Sequence, residues 1–360
     1  MGEGGATDEP VQSRAVSRHN KLSLPGRRSL SQYVEGIRAG DRFILAKAIT
    51  LVESLHPADC ALAADVLEMC LKEPGESIVV GVTGVPGAGK SSVIESLGSH
   101  LITNYREKIA VLAIDPSSRI SGGSILGDKT RMPFLASSEM SFVRPSPTRG
   151  KLGGTAAQTR DVIALCRAAG FRNVFVETVG VGQSETSVRE MVDFLLLVAI
   201  AGTGDELQGI KRGVMEMVDG IAVNKADGEN YCEAEKARAV AELALHYFPS
   251  SASGWSPPAI LCSARTGLGI NEIWLRIIEH HKILSQSGYL NRLRRDQNLR
   301  WLDENLERGL KQIFTSTPLV QNRLAELEDE VATGRTSPVA AARQLLSIYD
   351  SNRPRRHGRT

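Results

Sequence analysis

Residues 78–91 read Ile78-Val79-Val80-Gly81-Val82-Thr83-Gly84-Val85-Pro86-Gly87-Ala88-Gly89-Lys90-Ser91, a β-branched run that breaks into a glycine-rich turn. Ile78–Val82 is almost continuously apolar, as a strand covered on both faces requires. Gly84 to Ser91 then fits GxxxxGK[ST], and Ser92 to Leu101 has the composition of a helix, so the motif stands between strand and helix as it must. Gly84, Gly87 and Gly89 let the backbone wrap tightly, so that amides point inward at phosphate oxygens. Val85, Pro86 and Ala88 fill the turn between them, and Ser92 continues it, which makes residues 84–92 the expected phosphate-contacting run. Lys90 supplies a point charge to the outer phosphates, and the Ser91 hydroxyl is a magnesium ligand. The N-terminus of the following helix adds partial positive charge.

Outward from this loop, short apolar runs alternate with helical segments. The runs are Ile109–Ile114, Val174–Thr178, Phe194–Ile200, Ile221–Val223 and Ala259–Cys262. They predict an α/β fold with a mainly parallel sheet covered by helices. Before it, residues 30–75 carry apolar positions three and four apart, with Ile37, Ile44, Ile49, Leu51, Leu62, Val66, Leu67 and Leu71 on the inner faces of an N-terminal helical extension. The sheet domain spans 76–286. Residues 287–349 read as charged, amphipathic helices bearing Leu293, Leu299, Trp301, Leu302 and Leu306. Residues 1–29 and 350–360 are expected to be disordered tails, the second of them basic.

A base-recognition element follows the Ile221–Val223 run: Asn224-Lys225-Ala226-Asp227. Asp227 can accept from N1–H and the exocyclic amine of guanine, donors that adenine does not present in that arrangement. Lys225 would lay its aliphatic stem along the base, and Asn224 would fasten this loop to the phosphate loop. A helix N-cap by Asp227 is the competing explanation. Cys262-Ser263-Ala264-Arg265 closes the next run, and its Ser263–Ala264 amides can face the guanine carbonyl. Together these predict binding of GTP and GDP.

Three acids stand at or after strand ends, where sheets of this type form their ligand crevice. Asp115, Asp128 and Glu177 can hold the water shell of magnesium together with Ser91, because this ion takes few protein ligands. Asp115 could instead shape an Asp-Pro turn, and Asp128 a loop ion pair. Gly180 and Gly182, just past Glu177, suit a switch loop that follows the γ-phosphate, and Gly202–Arg212 is a second such segment. Arg131 and Lys211 could neutralise charge on the transferred phosphoryl group, or be plain surface cations.

Composition narrows the remaining classes. The chain has 360 residues and a net charge of +2, too near neutral to argue for a nucleic-acid or anionic-membrane partner. Its five cysteines, Cys60, Cys70, Cys166, Cys232 and Cys262, form no CxxC pair, which suits reduced thiols in the cytoplasm and offers no zinc site. His280 and His281 read as surface-helix residues. No apolar run approaches the roughly 18–20 residues of a membrane span, and the polar start does not read as a secretory signal. Its weakly basic, Ser-containing composition could suggest an organelle presequence, but Glu3, Asp8 and Glu9 argue against one and for the cytoplasm.

Five segments carry a more specific likeness: Asp115-Pro-Ser-Ser, Gly122 to Met132, Arg144-Pro-Ser-Pro, Glu177-Thr-Val-Gly-Val-Gly-Gln-Ser-Glu185, and Asn224-Lys-Ala-Asp-Gly. With these, the chain from about residue 30 to 345 resembles the MeaB/ArgK family, G-protein chaperones of adenosylcobalamin-dependent acyl-CoA mutases, above all methylmalonyl-CoA mutase. The resemblance implies a GTPase that is slow alone and stimulated by its mutase. It also implies a homodimer joined through the C-terminal helices. Magnesium would lie among the positions matching Asp115, Asp128 and Glu177, and residues 205–211 would relay the nucleotide state. Glu177 stands where other G proteins have Asp, a departure the family shares. The alternatives are a P-loop kinase, which would leave a stable phospho-product, and a metal-delivery GTPase, which would need Cys or His clusters.

Overall fold

The computed structural model describes residues 28–54, 56–72, 76–115, 131–147, 152–178, 184–201, 212–248 and 253–351. Three helices come first: α1 (Leu30–Arg38), α2 (Arg42–Val52) and α3 (Pro57–Leu71). Each start is set locally. Ser29 and Gln32 form a capping box on α1, Asp41 accepts from the Phe43 and Ile44 amides of α2, and Pro57 opens α3.

The strand–helix alternation follows as β1 (Ile78–Thr83), α4 (Lys90–His100), β2 (Ile109–Asp115), α5 (Pro133–Ser137), β3 (Ser141–Pro147), α6 (Leu152–Ala168), β4 (Asn173–Thr178), α7 (Ser184–Arg189), β5 (Phe194–Ile200), α8 (Arg212–Met215), β6 (Gly220–Asn224), α9 (Tyr231–His246), β7 (Ala259–Leu261) and α10 (Ile270–Gln286). The strands form one sheet in the order β3-β2-β4-β1-β5-β6-β7, every pairing parallel. β1 therefore lies between β4 and β5, so these three strands end side by side at the carboxyl edge, where sheets of this type form their ligand crevice.

The sheet divides the core in two. Alternate residues of β1 point to opposite sides: Val79 packs with Ile37, Leu45, Ile49 and Val66 of the N-terminal helices, while Val80 and Val82 pack with Ile94 and Leu97 of α4 and Ile277 of α10. Gly81 is needed because a Cβ there would lie 2.8 Å from Val188 Cγ1 of α7. Leu71, expected inside, is exposed at the end of α3.

Two features depart from the sequence pattern. β3 was not foreseen; Pro145 and Pro147 disguise it, and both are tolerated because β3 is an edge strand. His280 is buried rather than on the surface, with the rings of Phe194 and Trp255 edge-on to it at 5.0 and 5.1 Å and Asp219 Oδ1 3.6 Å from its Nε2.

Beyond α10 come α11 (Tyr289–Ser316), α12 (Pro318–Ala332) and α13 (Pro338–Ser351). Past Leu290, which is buried in the core, α11 docks by its polar face. Arg294 donates to both Asp193 carboxylate oxygens at 3.0 Å, Trp301 donates to Asp161 at 3.0 Å, and Arg160 donates to the Gln297 carbonyl at 2.6 Å. Leu299, Leu302, Leu306, Leu310 and Ile313, three and four apart, are each more than half exposed on the other side. This is the reverse of an ordinary surface helix, which turns its apolar stripe inward. No helix among the described residues is long and apolar enough to cross a membrane.

Candidate functional site: a phosphate loop joined to a base loop

Between β1 and α4 the chain turns through three glycines in the left-handed half of backbone space: Gly84 at φ +148°, Gly87 at +83° and Gly89 at +87°. Gly84 has no substitute, since a Cβ there would stand 2.2 Å from the Val198 carbonyl of β5. At Gly87 a Cβ would meet nothing within 4 Å. Pro86 and Gly87 form the exposed tip of the turn, Val85 and Gly89 are half-buried, and Ala88 is buried. Gly89 caps α4, whose first residues Lys90 and Ser91 are buried while Ser92 is exposed. Lys90 Nζ donates back across the turn to the Gly84 carbonyl at 2.8 Å and to that of Val85 at 3.2 Å.

β4 delivers Glu177 beside this turn. The buried Ser91 hydroxyl donates to Glu177 Oε1 at 2.6 Å. One residue on, the Thr178 hydroxyl meets that of Thr83 at 3.1 Å, bonding β4 to β1 at the root of the phosphate loop. Hydroxyl and carboxylate oxygens are the donors that magnesium prefers, and two of them suffice for an ion that keeps most of its waters. That fit matters because the described residues hold no group of three or more His, Cys, Asp or Glu suited to a metal. Asp115 is placed by its backbone at the end of β2. Asp128, Lys211, Gly180, Gly182 and the 205–211 segment lie outside the described residues. Arg131 is exposed ahead of α5.

β6 delivers the base loop. Asn224, 2% exposed, donates from Nδ2 to the Ala88 carbonyl at 2.9 Å, so the loop after β6 is bonded directly to the phosphate loop. A Cβ on Gly89 would press against that same nitrogen at 2.5 Å. Lys225 follows at φ +61°, a left-handed kink that separates the inward Asn224 from the outward Asp227. Asp227 makes no side-chain capping bond to the short 3-10 turn after it, which removes the N-cap explanation. Its carboxylate accepts instead from the Ser263 hydroxyl and the Arg265 guanidinium. The Ser263 and Ala264 amides, expected to face a base, donate to the Leu268 carbonyl at 2.9 Å and to Asn224 Oδ1 at 3.1 Å. Burial pushes the adjacent Cys262 thiol up to about 12, so it stays protonated.

This geometry fits a purine nucleotide: a phosphate-loop turn, a hydroxyl–carboxylate pair beside it, and a base loop bonded to the turn. The model of the family described as methylmalonyl-CoA mutase-associated GTPase MeaB matches residues 45–318. The chain belongs to the MeaB family. GTPase ArgK of Escherichia coli is 47% identical over 279 residues, covering 78% of this chain and 84% of that protein. A probable GTPase of Mycobacterium tuberculosis is 45% identical over 312 residues, covering 87% and 93%. The mouse protein named methylmalonic aciduria type A homolog, mitochondrial, is 38% identical over 351 residues, covering 95% and 84%. Among solved structures, one described as LAO/AO transport system kinase superposes with a TM-score of 0.68 at 36% identity, covering 91% of this chain and all of that one. This MeaB-family chain is a P-loop GTPase that binds GTP and GDP.

Proposed function

We propose that this GTPase is a chaperone for an adenosylcobalamin-dependent acyl-CoA mutase, methylmalonyl-CoA mutase or a relative, gating cofactor loading and protecting the mutase from inactivation. The reading is carried by the family match over residues 45–318, whose description names that mutase. The mouse relative's name, which refers to methylmalonic aciduria, supports it.

Within this function the amides of residues 84–92 hold the phosphates and Lys90 neutralises the outer ones. Ser91 and Glu177 would hold magnesium, with Asp115 and Asp128 joining them. The ion, when bound, supplies positive charge between the phosphates. Arg131 and Lys211 are the proposed cations for charge developing on the transferred group. Asp227 selects guanine, Lys225 covers the base, Asn224 holds the two loops in register, Ser263 and Ala264 complete the base pocket, and Arg265 stands at its open side.

The apolar stripe of α11 supports a homodimer, since five branched side chains on one helix face call for an apolar cover. The five dispersed free cysteines support residence in the cytoplasm.

The test is GTP turnover with and without the cognate mutase. The proposal expects slow hydrolysis alone, stimulation by the mutase, and only GDP and phosphate as products. A rate that stays flat at saturating mutase contradicts the chaperone role, and a stable phosphorylated product would favour the kinase reading instead.

A further inference from the structure

Asp227, the carboxylate given above to the guanine edge, has two partners of different kind within its own chain. Ser263 belongs to the framework of the loop: it is fully buried, and its hydroxyl also accepts from the Thr266 amide at 3.2 Å. Arg265 reaches in from solvent, its side chain 76% exposed against 19% for that of Asp227. Ser263 Oγ takes Oδ2 of the carboxylate, and Arg265 Nη2 takes Oδ1. The partly open side of the carboxylate is therefore where Arg265 sits, and a base must approach from the same side.

The chemistry of the two ligands is closely matched. The N1–C2–N2 edge of guanine is itself a guanidine fragment, with N–H donors side by side in one plane. An arginine fork offers the same planar pattern to a carboxylate. Adenine presents no such pair at that edge.

We infer that Arg265 is an internal stand-in for the guanine edge, a latch that occupies the Asp227 carboxylate and must be displaced when a guanine nucleotide binds. Asp227 then trades one guanidine-type partner for another and stays paired throughout exchange. The latch lowers guanine affinity and speeds replacement of GDP by GTP. It is held by a single exposed ion pair, whose strength is small and screened by salt, so it yields readily to the base. This inference rests on the guanine site proposed above.

The test is GDP and ADP affinity for the full chain and for Arg265→Ala, each with magnesium, at low salt and at about 0.5 M salt, where the Debye length falls to a few ångströms. Arg265→Ala should tighten GDP by about two- to fivefold at low salt, the range of one exposed ion pair. It should leave ADP unchanged, and the gap from wild type should close at high salt. Arg265→Lys, with the charge but without the fork, should fall between. A variant that binds GDP no better than wild type overturns the latch, as does one that tightens GDP and ADP alike, which would mark a general effect on the loop. Failure of the guanine site itself is separable: it shows as equal GDP and ADP affinity in the unmodified chain, and it removes the latch with it.

Discussion

Removing the Asn224 side chain should unfasten the base loop from the phosphate loop. Asn224 is 2% exposed and stands between the two, donating to the Ala88 carbonyl at 2.9 Å and accepting from the Ala264 amide at 3.1 Å. In Asn224→Ala the buried Ala88 carbonyl and the half-buried Ala264 amide lose these partners, at about 1–3 kcal/mol each, so the pair is worth about 2–6 kcal/mol. Taken out of nucleotide binding at about 1.4 kcal/mol per tenfold, GDP affinity should fall by about thirtyfold or more. Isothermal titration of GDP with magnesium reads this directly, and a thermal melt shows how much of the loss is shared by the fold. Asn224→Asp sharpens the test. It keeps an acceptor for Ala264 but sets a carboxylate oxygen against the Ala88 carbonyl, so it should be at least as damaging as the alanine. If either variant binds GDP within about threefold of wild type at an unchanged melting temperature, the two loops do not depend on this bond and the reasoning fails.

Asp227→Asn exchanges an acceptor for a donor, so it should lose GDP and gain xanthosine diphosphate in competition binding; unchanged preference would contradict the role of Asp227. Glu177→Gln retains a partner for the Ser91 hydroxyl at its 2.6 Å position but removes the charge. GTP turnover should drop by about tenfold or more and need more magnesium, while GDP binding in chelator is spared; an unshifted magnesium titration would count against the metal assignment. Asp161 tests the docking of α11. Burial pushes its carboxyl up to about 6, against the pull of Arg308 and the Trp301 bond. The folded chain then keeps a proton that the unfolded chain has lost between about pH 4 and 6, so stability falls as pH rises through that window, by on the order of 3 kcal/mol. Asp161→Asn should flatten this slope in urea titrations, and an identical slope would remove Asp161 as its source. Leu302→Asp with Leu306→Asp should yield monomers in sedimentation if the α11 stripe joins two copies; a persisting dimer would locate the interface elsewhere.

The site was legible in the sequence wherever one residue type has one job. Gly84 and Gly89 stand where a Cβ would strike Val198 or Asn224, so their glycines read as a phosphate loop before any coordinates exist. Asn224 likewise declared its tie to that loop. β3 did not show itself, because Pro145 and Pro147 mark an interruption in most strands and are permitted only at an edge. His280 misled for a related reason. A polar residue in a charged helix reads as exposed, and only the tertiary fold brings Phe194, Trp255 and Asp219 around it. α11 was legible as amphipathic but not in its orientation: past the buried Leu290, it meets the domain through arginine, tryptophan and glutamine to buried acids and carbonyls. Helix periodicity identifies two faces but not which of them meets the domain. Thr83 and Thr178 bond β1 to β4 at the root of the site, and two hydroxyls 95 positions apart give no sequence signal of their pairing.

Side-by-side calorimetric titration of GDP and ADP into the full chain with magnesium tests the guanine site most directly. Asp227 can take two donors from guanine and none in that arrangement from adenine. Two bonds to a charged acceptor, at about 1.5–3 kcal/mol each, predict GDP tighter by at least about a hundredfold. Equal affinities, or no heat with GDP, would contradict the account.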